Sequence, residues 1–460
     1  MKLRTWLRPG MLVKRWILLL ALGVVTTSLG LAMGLAWLYR NYAFPQEVSG
    51  FVRAVTLQFI PHPYREALMI SVGSVLTVVG FWQLSRSLLA PFLDQRADRR
   101  GLAEILQAHR FGPQPPEFHI VAIGGGTGLS TLLRGLKAHN VALTAIVTTG
   151  DDGGSSGRLR QDFNVPPPGD IRNCLVALAD AEPLMSELFQ YRFPAVGSAL
   201  DGHSFGNLFI VAMTQITGSF ERAVVESSRV LAVRGRVMPS TLENITVCAE
   251  FEDGHIVRGE STITQQRGRI RRIFLDPEHP EAYEPALLAI LSADVIVLGP
   301  GSLFTSVIPN LLVEGIAHAI RMSPALKLYV CNVTTQRGET DGFGVVEHLE
   351  ALERHAGGEF VDCVLANDNL EPTRALEAVG VRGVALEGLD RVRERVRVVL
   401  RDLVNPEQPW RHDPAKLAEA VLDIARTMKR DALAVQRKPS DRPMSARSMV
   451  QQPLGAGRGE

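Results

Sequence analysis

The stretch HIVAIGGGTGLSTLLRGL, residues 119–136, decides the fold. A short apolar run stops at three glycines, and the helical spacing of apolar residues begins again at Leu129. This order predicts a strand, a loop and a helix. Glycines let a backbone approach a phosphate, and a helix start offers free N–H groups. The spacing lacks the third glycine of G-x-G-x-x-G, so residues 124–130 form either a phosphate-binding loop or a tight structural turn.

Later segments repeat the apolar run that ends in a polar or glycine-rich loop. They lie at residues 142–149, 294–300, 326–332 and 360–366, and helix-like segments such as 302–321 stand beside them. Continuous apolar strands that alternate with helices indicate an α/β fold, with a mainly parallel sheet covered by helices on both faces. Residues 244–275 alternate with period two instead, which predicts a small antiparallel insertion.

The first hundred residues have the pattern of a membrane anchor. Residues 16–39 and 67–85 contain no charged side chain, and each run is long enough to cross a hydrocarbon core of about 30 Å. Basic residues flank the pair, so the positive-inside rule predicts that both termini and the globular part face the cytoplasm at the inner (plasma) membrane. A cleaved signal peptide is the alternative for the first run, which is longer than such a peptide needs.

These patterns divide the chain into three expected parts. Residues 1–110 are the anchor with two transmembrane helices, 117–430 the globular α/β domain, and 431–460 a disordered tail rich in Pro, Ser, Gly and Arg.

The charge balance argues against nucleic acid as a partner. The 460 residues include 49 Lys and Arg and 48 Asp and Glu, a formal net charge of +1. Such a chain has no overall field that attracts polyanions, so its partners depend on local groups. Four cysteines match no C-x-x-C metal or redox spacing, and we expect buried, reduced thiols at Cys174, Cys248, Cys331 and Cys363.

The loop after the second strand, TGDDGGSSGRLR at 149–160, is the richest in candidate site residues. Ligands of open parallel sheets lie at the carboxyl ends of the strands. Asp151 and Asp152 are candidates for a ribose contact, for Mg²⁺ binding and for catalysis. Arg158 and Arg160 are suited to pair with a diphosphate. A flexible, solvated loop is the alternative.

Two polar segments follow before helices. In PPPGDIRNC at 166–174, Asp170 is expected to cap a helix whose first turn contains Asn173. In DGHSFGNL at 201–208, His203 is a catalytic candidate beside Asn207, although a histidine at a helix start is more often a cap or a packing residue.

Two later loops offer a second pocket. GPGSLFTS at 299–306 repeats the order of strand, glycine and helix, with Ser302 at the expected N-cap, and predicts another phosphate or carboxylate site. NVTTQRGETDGF at 332–343 ends in Phe343, which either stacks on a base or fills the core, and the core is favoured.

Taken together, six ordered motifs resemble the YvcK/CofD family, in its gluconeogenesis-factor branch. They are GGGTGLSTLLRGL, TGDDGGSSGRLR, PPPGDIRNCLVAL, GHSFGNL, GPGSLFTS and TQRGETDG, within residues 120–425. The resemblance implies a Rossmann-like fold, and the membrane hairpin lies outside it. One branch of the family is a Mg-dependent 2-phospho-L-lactate transferase of deazaflavin cofactor biosynthesis. The other binds UDP-sugars and helps control cell shape and wall synthesis on gluconeogenic carbon, with no established reaction.

The DDGGSSGRLR and PPPGD segments favour the second branch. The resemblance therefore implies a regulatory protein that binds UDP-N-acetylglucosamine or UDP-glucose, with the Mg-dependent transferase as the alternative and catalysis left open. Arg337 stands where the family usually has proline, and Phe343 where tyrosine is frequent. WRHDP at 410–414 resembles the C-terminal motif that brings an arginine, here Arg411, to the nucleotide sugar.

Motifs and resemblance together give the expected site. Catalytic candidates are Asp151, Asp152 and His203, and no metal ligand is assigned. The expected ligand-binding residues are Gly124, Gly125, Gly126, Thr127, Gly128, Asp151, Asp152, Gly153, Gly154, Ser155, Ser156, Arg158, Asp170, Asn173, Asn207, Gly301, Ser302, Asn332, Thr335, Phe343 and Arg411. The expected partners are a nucleotide sugar and the lipid bilayer, with a homo-oligomer and cell-wall regulatory proteins left open.

Overall fold

The computed structural model describes residues 115–180, 183–374 and 381–437, and scattered residues between 24 and 82. The chain divides into two compact units, residues 1–114 and 115–460. In the described part of the chain, no helix combines the length and apolar character that a membrane span needs. The transmembrane helices predicted at 16–39 and 67–85 lie mostly outside the described residues, as do residues 438–460 of the tail.

A seven-stranded parallel sheet forms the centre of the second unit, which confirms the predicted fold class. The strands are β1 His119–Gly124, β2 Ala142–Val147, β3 Arg236–Pro239, β7 Val295–Leu298, β8 Leu326–Val330, β9 Cys363–Asn367 and β10 Arg397–Arg401. Their order across the sheet is β10-β9-β8-β7-β1-β2-β3.

Helices pack on both faces of this sheet. In β1, Val121 and Ile123 belong to one hydrophobic core, while Ile120 and Ala122 belong to another. This alternation follows from the period-two direction of side chains along a strand. The helices are α1 Gly126–Leu136, α2 Gly154–Phe163, α3 Gly169–Leu178, α4 Pro183–Gln190, α5 Phe205–Thr217, α6 Phe220–Val230, α7 Glu260–Ile263, α8 Glu284–Leu291, α9 Ile308–Leu312, α10 Ile316–Met322, α11 Val345–His355, α12 Glu371–Arg374 and α13 Pro414–Arg437.

The predicted antiparallel insertion is confirmed as a three-stranded sheet, β5-β4-β6. Its strands are β4 Thr246–Phe251, β5 Ile256–Arg258 and β6 Ile270–Asp276. Alternate residues such as Val247 and Ile273 are buried in the same core as Ile146 of β2. The insertion therefore lies against the parallel sheet and carries α7 to the loops that follow β2.

Two boundaries differ from the sequence prediction. The helix predicted at 302–321 is broken into a π-helical turn, Leu303–Val307, followed by α9 and α10. The break comes where Val313 is extended and Gly315 takes a φ of 86°, a conformation that glycine adopts without strain. The last helix, α13, continues to Arg437, beyond the start of the expected tail at 431.

The strand order reverses next to β1. From β1 the chain proceeds outward through β2 and β3 on one side, and β7 begins a second series on the other side. The carboxyl ends of β1 and β7 leave a crevice between loops that run in opposite directions. Ligands of open α/β sheets bind at such a crevice.

Candidate functional site

The loop after β1 and the loop after β7 pack against each other at this crevice. A Cβ on Gly125 would lie 2.6 Å from Ser306 Oγ, and a Cβ on Gly128 would lie 2.8 Å from Gly301 Cα. Real Cβ atoms do not approach other atoms so closely. In residues 124–128, the glycine loop, Gly125 and Gly128 therefore have no space for a side chain, because the Ser306 side chain and the backbone of residues 300–301 occupy it.

At the start of α1, Gly126 N donates a hydrogen bond to the Asp170 carboxyl group. Gly125 is the N-cap residue and makes no side-chain cap, and the first turn of α1 contains no acidic residue. Gly126 and Thr127 follow, and the Thr127 side chain is exposed. Free N–H groups and the positive end of the helix dipole make such a terminus suitable for an anion.

Asp170 does not cap α3, in contrast to the sequence prediction. The N-cap of α3 is Pro168, and Asp170 lies inside the first turn. Its Oδ2 lies 3.0 Å from the position of a Cβ on Gly125, so the side chain faces the glycine loop. The proline run orients α3 so that this carboxyl is directed into the crevice.

The loop after β2 brings two carboxylates to the same edge. Asp151 Oδ1 accepts a hydrogen bond from Gly153 N at 2.9 Å, and its Oδ2 lies 2.7 Å from the position of a Cβ on Gly169. Asp152 Oδ1 accepts from Ser261 N of α7 at 2.9 Å. The predicted loop 149–160 is thus fixed between α3 and the antiparallel insertion.

Burial raises the pKa of several carboxyl groups at this edge. The pKa of Asp170 rises to about 7 because the group is buried and lies near Asp151. Burial also raises the pKa of Glu339 to about 7, and burial together with Asp170 raises that of Glu260 well above its usual value. In residues 115–180, 183–374 and 381–437, no three His, Cys, Asp or Glu side chains converge as a metal-ligand set.

A buried polar network lies behind the glycine loop. Arg172 donates to Ser204 Oγ, to Asn207 Oδ1 at 2.9 Å and to Asn173 Oδ1 at 2.9 Å. Ser204 in turn caps α5, because its Oγ accepts from Asn207 N at 3.2 Å. This network connects the starts of α3 and α5.

His203 lies in the same region and pairs with Ser155. Ser155 Oγ and His203 Nδ1 share a hydrogen bond of 3.1 Å, and Ser155 Oγ also accepts from Asn207 Nδ2 at 3.1 Å. Burial and the charge of Arg158 lower the pKa of His203. This catalytic candidate is therefore a neutral imidazole whose Nδ1 is already engaged, and its partner is a serine rather than Asp151 or Asp152.

A cleft of about 430 Å³ opens beside the start of α1. Thr127, Ser130 and Arg134 of α1 line it together with Asn173 of α3 and Arg411. Arg411 provides positive charge for an anionic ligand, whereas Arg134 lies in the last turn of α1 and Glu187 of α4 adds a negative charge to the cleft. The structure thus brings the glycine loop, Asn173 and the distant Arg411 to one place.

The loops after β7 and β8 are joined by side-chain hydrogen bonds. Asn332 Oδ1 accepts from Gly301 N at 3.2 Å, and its Nδ2 donates to Gly301 O at 2.9 Å. Ser302 Oγ donates to Gln336 Oε1 at 2.6 Å, and Gln336 Nε2 donates to Glu339 Oε1 at 2.6 Å. Ser302 is the N-cap residue of the π-helical turn, as predicted, but its hydroxyl contacts the neighbouring loop and makes no cap hydrogen bond.

Three expected ligand-binding residues have other partners. Arg158 is exposed and donates to the carbonyl oxygen of Asp201. Thr335 N donates to Arg382 O at 2.8 Å. Phe343 packs edge-on against Phe304, with ring centroids 5.9 Å apart, which agrees with the core interpretation.

The sequence prediction missed six residues of this region. They are Arg134, Arg172, Glu260, Ser306, Gln336 and Glu339. Arg134 belongs to the helical pattern after the glycine loop, and Glu260 to the period-two insertion, so neither follows a strand of the parallel sheet. Ser306 and Gln336 lie within the quoted motifs 299–306 and 332–343, but serine and glutamine are common polar residues whose type alone does not indicate a role in the site.

Residues 120–404 match the family model described as 2-phospho-L-lactate transferase CofD. The chain belongs to the CofD family. Its CofD-like region is similar to the gluconeogenesis factor of Bacillus subtilis (strain 168), with 47% identity over 315 residues, 66% of this chain and 97% of that protein. The gluconeogenesis factor of Halalkalibacterium halodurans is 55% identical over 249 residues, 54% of this chain and 77% of that protein.

The likeness to other CofD-family proteins extends to structure and beyond the matched region. A crystal structure of a Bacillus halodurans protein at 2.60 Å superposes with a TM-score of 0.63 at 47% identity, covering 66% of this chain and 98% of that one. A Nostoc sp. (strain PCC 7120) protein, which carries the provisional name gluconeogenesis factor, is 46% identical over 429 residues, 91% of each chain. The chain is thus a homologue of gluconeogenesis factors.

Proposed function

We propose that this CofD-family protein binds a UDP-sugar at the crevice between β1 and β7 and acts as a regulator of cell shape and of wall and carbon metabolism. The observation that supports it most directly is the cleft beside the start of α1, with Arg411 and Asn173 on its walls. A diphosphate requires N–H donors and cations at close range, and the cleft offers both. The names of the relatives agree with a regulatory role.

The carboxyl groups at this edge suit the sugar end of such a ligand. Asp151, Asp170 and Glu339 lie around the crevice, and carboxyl groups accept hydrogen bonds from sugar hydroxyls. They also repel a diphosphate, so the proposal places the phosphates toward Arg411 and Thr127 and the sugar toward the carboxyl groups.

Isothermal titration calorimetry of the full chain with UDP-N-acetylglucosamine and UDP-glucose tests the proposal. We expect saturable binding with a stoichiometry of one ligand per chain. Uridine, which lacks the phosphates, should bind much more weakly. Folded protein that takes up neither nucleotide sugar at millimolar concentration would refute the proposal.

A Mg-dependent transferase of the 2-phospho-L-lactate transferase type is the second candidate. The acidic residues at the sheet edge and the name of the family model favour it. The described residues do not form a metal site by themselves, since no three ligating side chains converge. Mg²⁺ in phosphate sites commonly takes one or two carboxylates and the phosphates of the substrate.

Turnover of a phosphorylated or nucleotidyl-activated substrate distinguishes the two candidates. Turnover that requires Mg²⁺ and is lost in Asp151→Asn, with binding retained, would establish the transferase. Binding of a UDP-sugar without any product, with and without Mg²⁺, would exclude it and leave the regulatory role.

We also propose that residues 1–110 attach the protein to the inner membrane. Support comes from the two uncharged runs and their basic flanks, and from Val25 and Val75, which are helical and 63% and 60% exposed. Alkaline carbonate extraction of membranes tests it. The full chain should stay in the membrane pellet and a chain without residues 1–110 should not; extraction of the full chain would contradict the proposal.

A further inference from the structure

Arg172 is a buried cation directly behind the proposed phosphate site. Its side chain belongs to a residue that is only 7% exposed. Among the described residues it makes no ion pair at hydrogen-bond distance. Its hydrogen-bond partners are the neutral oxygens of Ser204, Asn207 and Asn173, and the carboxyl groups of Asp151 and Asp170 are close enough to favour its charge. Burying a charge is costly, so these hydrogen bonds and the two nearby carboxyl groups keep the guanidinium in one position.

The contact between Arg172 and Asn173 fixes the direction of the Asn173 amide. A guanidinium has only donors, so the amide must present its oxygen to Arg172. The 2.9 Å bond joins Arg172 Nη2 to Asn173 Oδ1. The Nδ2 group then lies at the opposite end of the amide.

That opposite end is directed to the glycine loop. Asn173 Nδ2 lies 2.9 Å from the position of a Cβ on Gly126, and Asn173 lines the cleft with Thr127 and Arg411. Within residues 115–180, 183–374 and 381–437, no protein atom accepts a hydrogen bond from this Nδ2. It is thus an unused donor at the start of α1.

We infer that Arg172 is a positioning residue, which holds the Asn173 amide as a donor toward a ligand phosphate; this inference rests on the proposed function. Phosphate oxygens only accept hydrogen bonds. If the amide were rotated by half a turn, its oxygen would face the phosphate and repel it. Arg172 excludes that rotated state because its own N–H groups would then meet the NH₂ group.

The surrounding network keeps Arg172 in place. Asn207 Oδ1 accepts from Arg172, and Asn207 Nδ2 donates to Ser155 Oγ at 3.1 Å, so the direction of this second amide is also determined. Ser204, the N-cap of α5, accepts from the same guanidinium nitrogen. The donor direction at the cleft therefore depends on a chain of contacts that ends in the start of α5.

A double-mutant cycle with UDP-N-acetylglucosamine tests the inference on the full chain. Asn173→Ala removes the donor and should weaken binding about ten-fold, as expected for a lost hydrogen bond to a charged group. Arg172→Gln offers both donor and acceptor atoms, lets the Asn173 amide rotate, and should weaken binding to a similar extent. The double variant should bind no more weakly than Asn173→Ala. Losses that multiply to about a hundred-fold would overturn the inference.

Arg172→Lys separates positioning from general support of the fold. Lysine also has donors only, so it keeps the Asn173 amide in the same direction although it makes fewer hydrogen bonds. We expect Arg172→Lys to lose thermal stability and to retain most of the affinity. If Lys and Gln variants of equal melting temperature bind equally weakly, Arg172 only supports the fold and the inference fails.

Binding of inorganic pyrophosphate, a second probe, tests whether Arg172 affects recognition of the phosphate groups of the ligand. Arg172→Gln should weaken pyrophosphate binding by the same factor as UDP-N-acetylglucosamine binding, and an unchanged pyrophosphate affinity would contradict the inference. Wild-type protein that binds neither probe would refute the proposed function and the inference with it. Wild-type binding with independent effects at residues 172 and 173 would refute the inference alone.

Discussion

Asp170 Oδ2 lies 3.0 Å from the point where a Cβ on Gly125 would be, so the first turn of α3 closes over the glycine loop. The two segments come from different strand-to-helix connections, after β1 and after β2. Their contact leaves no space for a side chain on Gly125 or Gly126, and the Asp170 carboxyl group accepts a hydrogen bond from Gly126 N. The stability of the loop and its capacity to bind an anion therefore depend on the same glycines.

Replacing Gly126 should damage both folding and binding. A Cβ there would come within 2.7 Å of Asp170 Cα and 2.9 Å of Asn173 Nδ2. We expect Gly126→Ala to lower the free energy of unfolding by about 1–3 kcal/mol, as overpacked sites do, and to abolish measurable UDP-sugar binding. Chemical denaturation and calorimetry measure the two effects.

Gly153→Ala is the matched control. Its Cβ would meet Asp151 Oδ1 at 3.4 Å and Ser261 Cβ at 3.8 Å, ordinary contact distances, and the φ of Gly153 is −84°. This variant should fold and bind like the wild type. Equal damage by both substitutions would show that the contacts of Gly126 with α3 are not the cause.

The pH dependence of stability should reveal Asp170. Its pKa is raised from 3.8 to about 7, so the folded state binds more protons than the unfolded state between these values. The stabilisation is complete below about pH 4 and is lost as the pH rises through 7. Asp170→Asn should flatten this fall and make the apoprotein more stable than the wild type at pH 8 by at least about 1 kcal/mol. Parallel slopes of unfolding free energy against pH for both proteins would contradict the assignment.

The contribution of His412 to stability should change with pH in the opposite direction to that of Asp170. It is 6% exposed, shares a hydrogen bond of 3.1 Å between its Nε2 and Cys331 O, and burial lowers its pKa from 6.5 to about 4. Its contribution to stability is complete above about pH 6.5 and is lost as the pH falls through 4. In His412→Gln the unfolding free energy should therefore vary less between pH 6.5 and 4. An unchanged pH profile would show that His412 is not buried as a neutral ring.

The two arginines that the sequence assigned to the ligand should differ in importance. Arg411 lines the cleft, whereas Arg158 donates to the carbonyl of Asp201. Arg411→Ala should weaken UDP-sugar binding by about 1–3 kcal/mol, and Arg158→Ala should weaken it less. Calorimetry of both variants, with the exposed Arg229→Ala as a control, decides between them. A larger loss at Arg158 would favour the sequence prediction over the placement in the structure.

Hydrophobic patterns predicted the parallel sheet well because the buried strands are continuous apolar runs. The strands that were missed, β3 and β10, lack this signal. β3 has four residues at one edge of the sheet, and β10 begins and ends with Arg397 and Arg401 at the other edge. β3 is mostly buried but too short to stand out as an apolar run, while β10 is only partly buried, so its composition does not distinguish it from a loop.

The sequence predicts most of the site residues that directly follow strand ends. It does not predict residues such as Glu260 that other elements bring to the site. The roles of Asp170 and Ser302 changed because tertiary contacts replaced the local caps that their positions suggested. Glu260 arrives with the antiparallel insertion, whose place over the loop after β2 cannot be read from local pattern. Asn173 was predicted, but the direction of its amide depends on a buried arginine whose partners lie in another helix.

A crystal structure of the full chain with UDP-N-acetylglucosamine at saturating concentration tests the central claim most directly. We predict ordered density for the diphosphate at the start of α1, between Thr127 and Arg411, with Asn173 Nδ2 within hydrogen-bond distance of a phosphate oxygen. An ordered nucleotide sugar bound elsewhere on the protein, with the cleft beside α1 occupied only by water, would contradict the account.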